Sequence, residues 1–395
     1  MRLNFRPGLV ACGVAALLAT APSVLAAAPP VQPASGPGGF GDRSVSVTKH
    51  ALGKAGAGSF VFHVAGAAPA EGRPVVVLLH AWGAPNPQAY GGWIDHLART
   101  GALVIFPRFQ DLNRTRPADA SATAERLLKS ALSDLSADPE AKPDPKRVAI
   151  IGHLAGAPIA ANIAADAVEQ GLPVPRLVFT VMPGGIASDA RARGVVLRDL
   201  SRIAPETLVI TVIGDRDARA ADLAARRLLR ETSGVSSERK LFLRALSDDH
   251  GFPALTATLA SPASVDPAYD GGAIKVPPEP PRDPKQPAAP FKWTPDMALT
   301  GEQSTLVSQI NNARADSLDF LAYWKTFDLA AAAAFAGNDA STLKSNPRFS
   351  DMERWADGWP VKRLVVETPR ATSAPVASSP ATAPVRAKPT SSRRP

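Results

Sequence analysis

Apolar positions fall into eight short runs, separated by longer stretches in which they recur every three or four residues. The runs are SVSVTKH (44–50), SFVFHV (59–64), PVVVLLH (74–80), ALVIFP (102–107), RVAIIG (147–152), RLVFTVMP (176–183), TLVITVIG (207–214) and KLFLRAL (240–246). Several are apolar throughout, as expected of parallel strands covered on both faces rather than strands with one wet side. Between them PQAYGGWIDHLARTG, SATAERLLKSALSDL, APIAANIAADAVEQG and ARAADLAARRLLRET carry the helical period. Two early strands followed by repeated strand–helix units predict an α/β fold: a mostly parallel, eight-stranded sheet with helices on both faces.

Four stretches break this rhythm. Residues 1–28 carry Arg2 and Arg6, a short apolar run interrupted by Pro22, and small residues at Ala26–Ala28, the pattern of a cleavable signal peptide. That implies a secreted or periplasmic protein, with no transmembrane segment after cleavage. Residues 29–43 are a Pro/Gly-rich leader, expected to be extended and mobile. Residues 262–299 are too rich in proline for a sheet or helix interior and read as a surface excursion within a domain spanning 44–366. Helical sequence resumes at 301–337 and stops at Gly337–Asn338. From 367 an Ala/Pro/Ser/Thr tail is expected to be disordered.

Charge and cysteine content narrow the chemistry. The net charge is +8, but Arg2 and Arg6 lie in the signal peptide, and the tail from Thr368 on holds five cations (Arg370, Arg386, Lys388, Arg393, Arg394) without an acid. The body between is nearly neutral, which does not support a nucleic-acid groove; the tail offers at most a weak contact to anionic envelope material. Cys12 is the only cysteine. The body therefore has no disulfide, thiolate metal site or cysteine nucleophile. No metal-ligand spacing occurs, and Leu154 occupies the middle glycine position of a dinucleotide fingerprint, so no cofactor is expected.

Candidate chemistry lies at strand ends, where α/β sheets place their ligands. RVAIIGHLAGAPIAANIA (147–164) reads as strand, tight turn and helix. Its turn, Gly152-His153-Leu154-Ala155-Gly156, has the frame of the G-x-S-x-G elbow, with leucine at the nucleophile position. The backbone at Ala81 and Trp82, and the N–H of Ala155, stand where oxyanion donors would be. Gly214-Asp215-Arg216-Asp217 ends a strand where an orienting acid belongs, and Ser247-Asp248-Asp249-His250 ends one where a base belongs. His153 reads as a packed elbow histidine, Asp215 and Asp217 also fit a helix cap, and His250 also fits an ordinary polar turn.

Taken jointly, these motifs resemble an α/β-hydrolase of the secreted esterase, lipase or dienelactone-hydrolase-like branch. YGGWIDHLARTGALVIFPRFQ (90–110), LDFLAYWKTFD (318–328) and WADGWPVKRL (355–364) are similar to that branch as well, so the resemblance covers roughly 44–260 and 315–366. It implies Asp217 as the acid. It implies either His250 as the base or, in a second register, a base lost at Leu259. It also marks two departures: Leu154 for the serine, and Ala81 for a glycine beside the oxyanion loop. An alkyl side chain has no lone pair to attack with, whatever its surroundings. The expectation is a hydrolase-fold protein without serine-hydrolase activity that binds an apolar ligand or a partner. The alternative is an active ester or lipid hydrolase using another nucleophile, Ser247 or Ser261. Leu154 is further expected either to turn into a greasy pocket or to have let the strained turn relax.

Overall fold

The computed structural model describes residues 26–54, 57–111, 114–189, 191–216, 219–277, 291–299 and 304–369. The expected signal peptide lies outside them apart from its last three residues, as do the centre of the Pro-rich stretch, nearly all of the tail, and Asp217.

All eight expected runs form strands, and a ninth follows them. In chain order these are β1 (Val47–Lys54), β2 (Ala57–Val64), β3 (Arg73–Leu79), β4 (Leu103–Pro107), β5 (Pro143–His153), β6 (Leu177–Val181), β7 (Leu208–Gly214), β8 (Lys240–Ala245) and β9 (Val365–Glu367). They form one mixed sheet in the order β1-β2-β4-β3-β5-β6-β7-β8-β9. Strands β4, β3, β5, β6, β7 and β8 run parallel, while the pairings β1–β2, β2–β4 and β8–β9 are antiparallel. The sheet is thus nine-stranded rather than eight-stranded. Its extra member is three residues long, with Val366 opposite Leu243, too short to carry a periodicity of its own.

The helices include α1 (Gly91–Arg99), α2 (Ala120–Leu135), α3 (Gly156–Gln170), α4 (Arg219–Glu231), α5 (Ser304–Asn312) and α6 (Lys325–Phe335), the last entered through a π-helical turn at Asp319–Trp324. Crossover β3–α1–β4 travels one way along the sheet, and β4–α2–β5 travels back over β3. Right-handed crossovers therefore place α1 and α2 on opposite faces. The packing agrees: Trp93 of α1 meets Phe327 of α6, while Asn162 of α3 bonds Ser121 of α2. The reversal of direction falls between β3 and β5, so the loops leaving these two neighbours diverge and open a crevice.

Over its described length the leader is hydrogen-bonded to the domain. Ser317 donates to the Pro30 carbonyl. Gly38 N–H donates to Asp328, and the Gly39 carbonyl faces His96. The described part of the Pro-rich stretch is docked too. Tyr269 is buried against Phe62, and its hydroxyl donates to Asp95 over 2.5 Å. Proline excludes these segments from the sheet but not from the surface of the core.

Candidate functional site

The crevice between β3 and β5 gathers the oxyanion-loop residues and the elbow. Gly152 and Gly156 are dictated by contact. A Cβ on Gly152 would lie 2.3 Å from the Gly156 carbonyl oxygen, and one on Gly156 would lie 2.1 Å from the Leu79 carbonyl oxygen. Between them the backbone of Leu154 stays left-handed, at φ +50°. Its N–H donates to Val181, and its carbonyl accepts from Ala157 and Gly184. The strained turn has not relaxed, although a leucine there costs about 1–2 kcal/mol relative to an ordinary conformation. The side chain lies against the core, partly buried, with Cδ2 3.6 Å from where a Gly184 Cβ would sit.

Hydrocarbon also covers the crevice from above. A methyl at Gly83 would meet Val307 Cγ2 of α5 at 2.5 Å. Leu299 Cδ1 and Ala155 Cβ both lie 3.3 Å from the Cβ position of Gly185. Trp82 is buried. Leu299 and Val307 flank residues 300–303, which lie outside the described residues.

The polar groups beneath form one directed chain. His153 Nε2 lies 2.9 Å from the Leu259 carbonyl, which only accepts, so this nitrogen carries the proton. Nδ1 is then the acceptor, and the Tyr90 hydroxyl donates to it over 2.8 Å. The same hydroxyl oxygen accepts the Ala81 N–H at 2.9 Å. Burial of the whole ring pushes the His153 pKa down to about 4, so it is neutral at pH 7. Burial also pushes the Tyr90 pKa up, opposed by the hydrogen bond from Ala81. Of the groups expected to stabilise an oxyanion, Ala81 is therefore engaged within the protein. His80 is neutral as well, its pKa lowered to about 3 by burial. Its Nδ1 lies 2.8 Å from the Ala81 carbonyl, its ring stacks on Phe109 at 4.0 Å, and its Nε2 has no partner among the described residues.

The two registers for a base lead to different places. His250 Nε2 pairs with Asp357 at 2.7 Å, and its ring stacks on the exposed Trp359 with centroids 5.3 Å apart. Its described contacts are with its own loop and the C-terminal segment, not with the elbow. Leu259, by contrast, meets the elbow through its carbonyl, and the Ala257 carbonyl accepts from Arg216 at the end of β7. Asp215 accepts the Ser247 N–H at 3.0 Å and the Ser247 hydroxyl at 2.5 Å, and that hydroxyl in turn accepts from Ala257. Asp248 accepts from Lys362 and His250 N–H groups and from the Trp355 indole. Burial works to raise its pKa, yet these donors hold it below the usual carboxylate value. No group of three His, Cys, Asp or Glu side chains able to hold a metal occurs among the described residues.

Sequence reasoning missed Tyr90, the Leu259 carbonyl, Leu299 and Val307. Only Tyr90 left a signal: a tyrosine beside buried helix residues needs a partner for its hydroxyl. No family model matches the chain, and no curated protein matches it. Among solved structures it is similar to carboxyl esterase 2 of the mycorrhizal fungus Tuber melanosporum, at 16% identity and a TM-score of 0.37, covering 52% of this chain and 79% of that chain. An overlap this loose adds nothing to the reading of the site, which rests on strand order and contacts. No described helix is long and apolar enough to cross a membrane.

Proposed function

We propose that this chain is an exported α/β-hydrolase-fold protein that does not carry out serine-based acyl transfer, and whose crevice serves binding to an apolar ligand or a partner. The observation that carries this reading is Leu154 on an unrelaxed elbow. A left-handed backbone is kept at the nucleophile position while the side chain offers no nucleophile. Two further features support it. The Ala81 N–H is already bonded to Tyr90, and Leu299 and Val307 stand over the loop and elbow. Strand order, a switch point between β3 and β5, and an elbow after the middle strand are the supports for the hydrolase fold. In this reading the acid is Asp217, and the segment at Leu259 has lost the base. Export rests on the signal-peptide pattern of residues 1–28, and envelope contact on the five cations of the tail.

Of the two competing nucleophiles, Ser247 is committed elsewhere. Ser247 gives its proton to Asp215 and its oxygen to Ala257, with no histidine among its described partners. The test is Leu154→Ser, together with the double variant Leu154→Ser/Leu259→His, assayed on short-chain p-nitrophenyl esters. The proposal expects no turnover by the wild type or the single variant, and measurable turnover once both groups are supplied. Activity in the single variant would show that a working base survives, and wild-type activity would end the proposal.

A further inference from the structure

The far edge of the sheet holds a cavity of about 840 Å³, bounded by the end of α4, the turn that follows, β8 and the exit of β9. Its size lies within the roughly 300–1,000 Å³ range of small-molecule sites. Leu229, Val235 and Phe242 back it but are almost fully buried, and the Arg226 guanidinium lies 4.3 Å over the Phe242 ring. Its polar lining is unbalanced: Arg226, Arg230 and Lys240 face a single carboxylate, Glu367.

Lys240 is the informative member. It is 6% exposed, and burial lowers its pKa. Its ammonium donates to the Leu229 carbonyl at 3.1 Å and pairs with no carboxylate among the described residues. A buried cation without a counter-charge is costly, and a lysine has three donors where one is used. Arg226 is committed to Asp222 at 2.8 Å and to Glu367 at 3.3 Å, which consumes the one acid of the lining. Arg230 makes no ion pair among the described residues, and the Ser236 hydroxyl makes no capping bond. Three carbonyls at the end of α4, which would repel an anion, are already occupied: Leu228 by Thr232, Leu229 by Lys240 and Glu231 by Ser233.

From this geometry we infer a second binding site, distinct from the crevice, for an organic anion. A phosphate or carboxylate head meets Lys240 and Arg230, and its apolar body lies along the cavity wall against the aliphatic stems of the arginines and Pro369. The inference does not depend on the fate of the elbow. It is tested by titration calorimetry of the full chain with octyl phosphate, octanoate, inorganic phosphate and octyl glucoside. Saturable binding of octyl phosphate or octanoate is expected, the tighter of the two naming the head group. Inorganic phosphate should bind more weakly, and octyl glucoside not at all. Loss of one charge-assisted contact weakens binding about tenfold or more, so Arg230→Gln and Lys240→Met should each show that drop. Arg230 is exposed, so Arg230→Gln should leave the urea midpoint unchanged and keeps the test valid if Lys240→Met unfolds. Absence of saturable binding by both anions, equal binding of octyl glucoside, or undiminished affinity in Arg230→Gln would overturn it.

Discussion

At position 154 a leucine holds φ +50°, and the residues on either side explain how. Gly152 and Gly156 permit a backbone approach that no side chain would survive, and three backbone hydrogen bonds fix the turn. Strain of this kind persists where the surroundings over-determine it. Beneath the turn, Tyr90 serves two neighbours at once, so replacing it should be costly. Tyr90→Phe leaves the Ala81 N–H and the His153 Nδ1 buried and unpaired, a loss of about 2–4 kcal/mol. Urea unfolding measures it, and a loss below half a kcal/mol or so would mean that water replaces the hydroxyl. A complementary substitution probes packing at the elbow itself. Gly156→Ala would place a methyl against the Leu79 carbonyl, and it is expected to prevent accumulation of folded protein, as read by circular dichroism.

Between elements, the clearest device is the clasp that holds the leader to the domain. Both nitrogens of His96 face acceptors: Gly39 O at 2.5 Å from Nδ1 and Asp328 Oδ2 at 2.8 Å from Nε2. Two acceptors require two N–H groups, so the ring is an imidazolium. Burial opposes that charge, but the Asp328 carboxylate and the Gly39 carbonyl outweigh it and raise the pKa above the usual histidine value. The folded chain therefore keeps a proton that the unfolded chain releases. The clasp's contribution is complete below the unfolded histidine value of about 6.5 and is lost as pH rises through the higher folded value. Urea midpoints should fall as pH rises above the ordinary histidine value, and Asp328→Asn should flatten that fall. An unchanged pH profile in the variant would remove the clasp from the explanation. Asp328 sits in a motif that was legible, but its partners His96 and Gly38 lie more than 200 residues away in sequence, beyond any local pattern. The same distance concealed the docking of the leader. Proline density marks where regular structure stops and says nothing of what a segment lies upon. Strands were easier to find, because β3, β6 and β7 are buried on both faces and written as unbroken apolar runs. The start of β5 escaped notice because Pro143 and Pro145 precede its apolar core.

For the molecule as a whole, eight of the nine strands and the tight turn after β5 could be read from the chain, since each is a local pattern. The state of the crevice could not. It depends on Leu259 meeting His153, on Tyr90 meeting Ala81, and on residues after the Pro-rich stretch returning to cover Gly83 and Gly185. The buried histidines add a signature on the acid side. His80 and His153 are held neutral, with pKa values of about 3 and about 4, so their contribution is present above the unfolded value and lost as pH falls towards the folded ones. Tyr90→Phe together with His153→Gln should reduce that acid-side slope in unfolding experiments. The sharpest examination of the account concerns the elbow. Intact-mass measurement of the purified protein after prolonged exposure to a fluorophosphonate probe reports directly on an activated hydroxyl. The account predicts an unmodified mass, with Leu154→Ser/Leu259→His gaining one adduct; a stoichiometric adduct on the wild-type chain would contradict it.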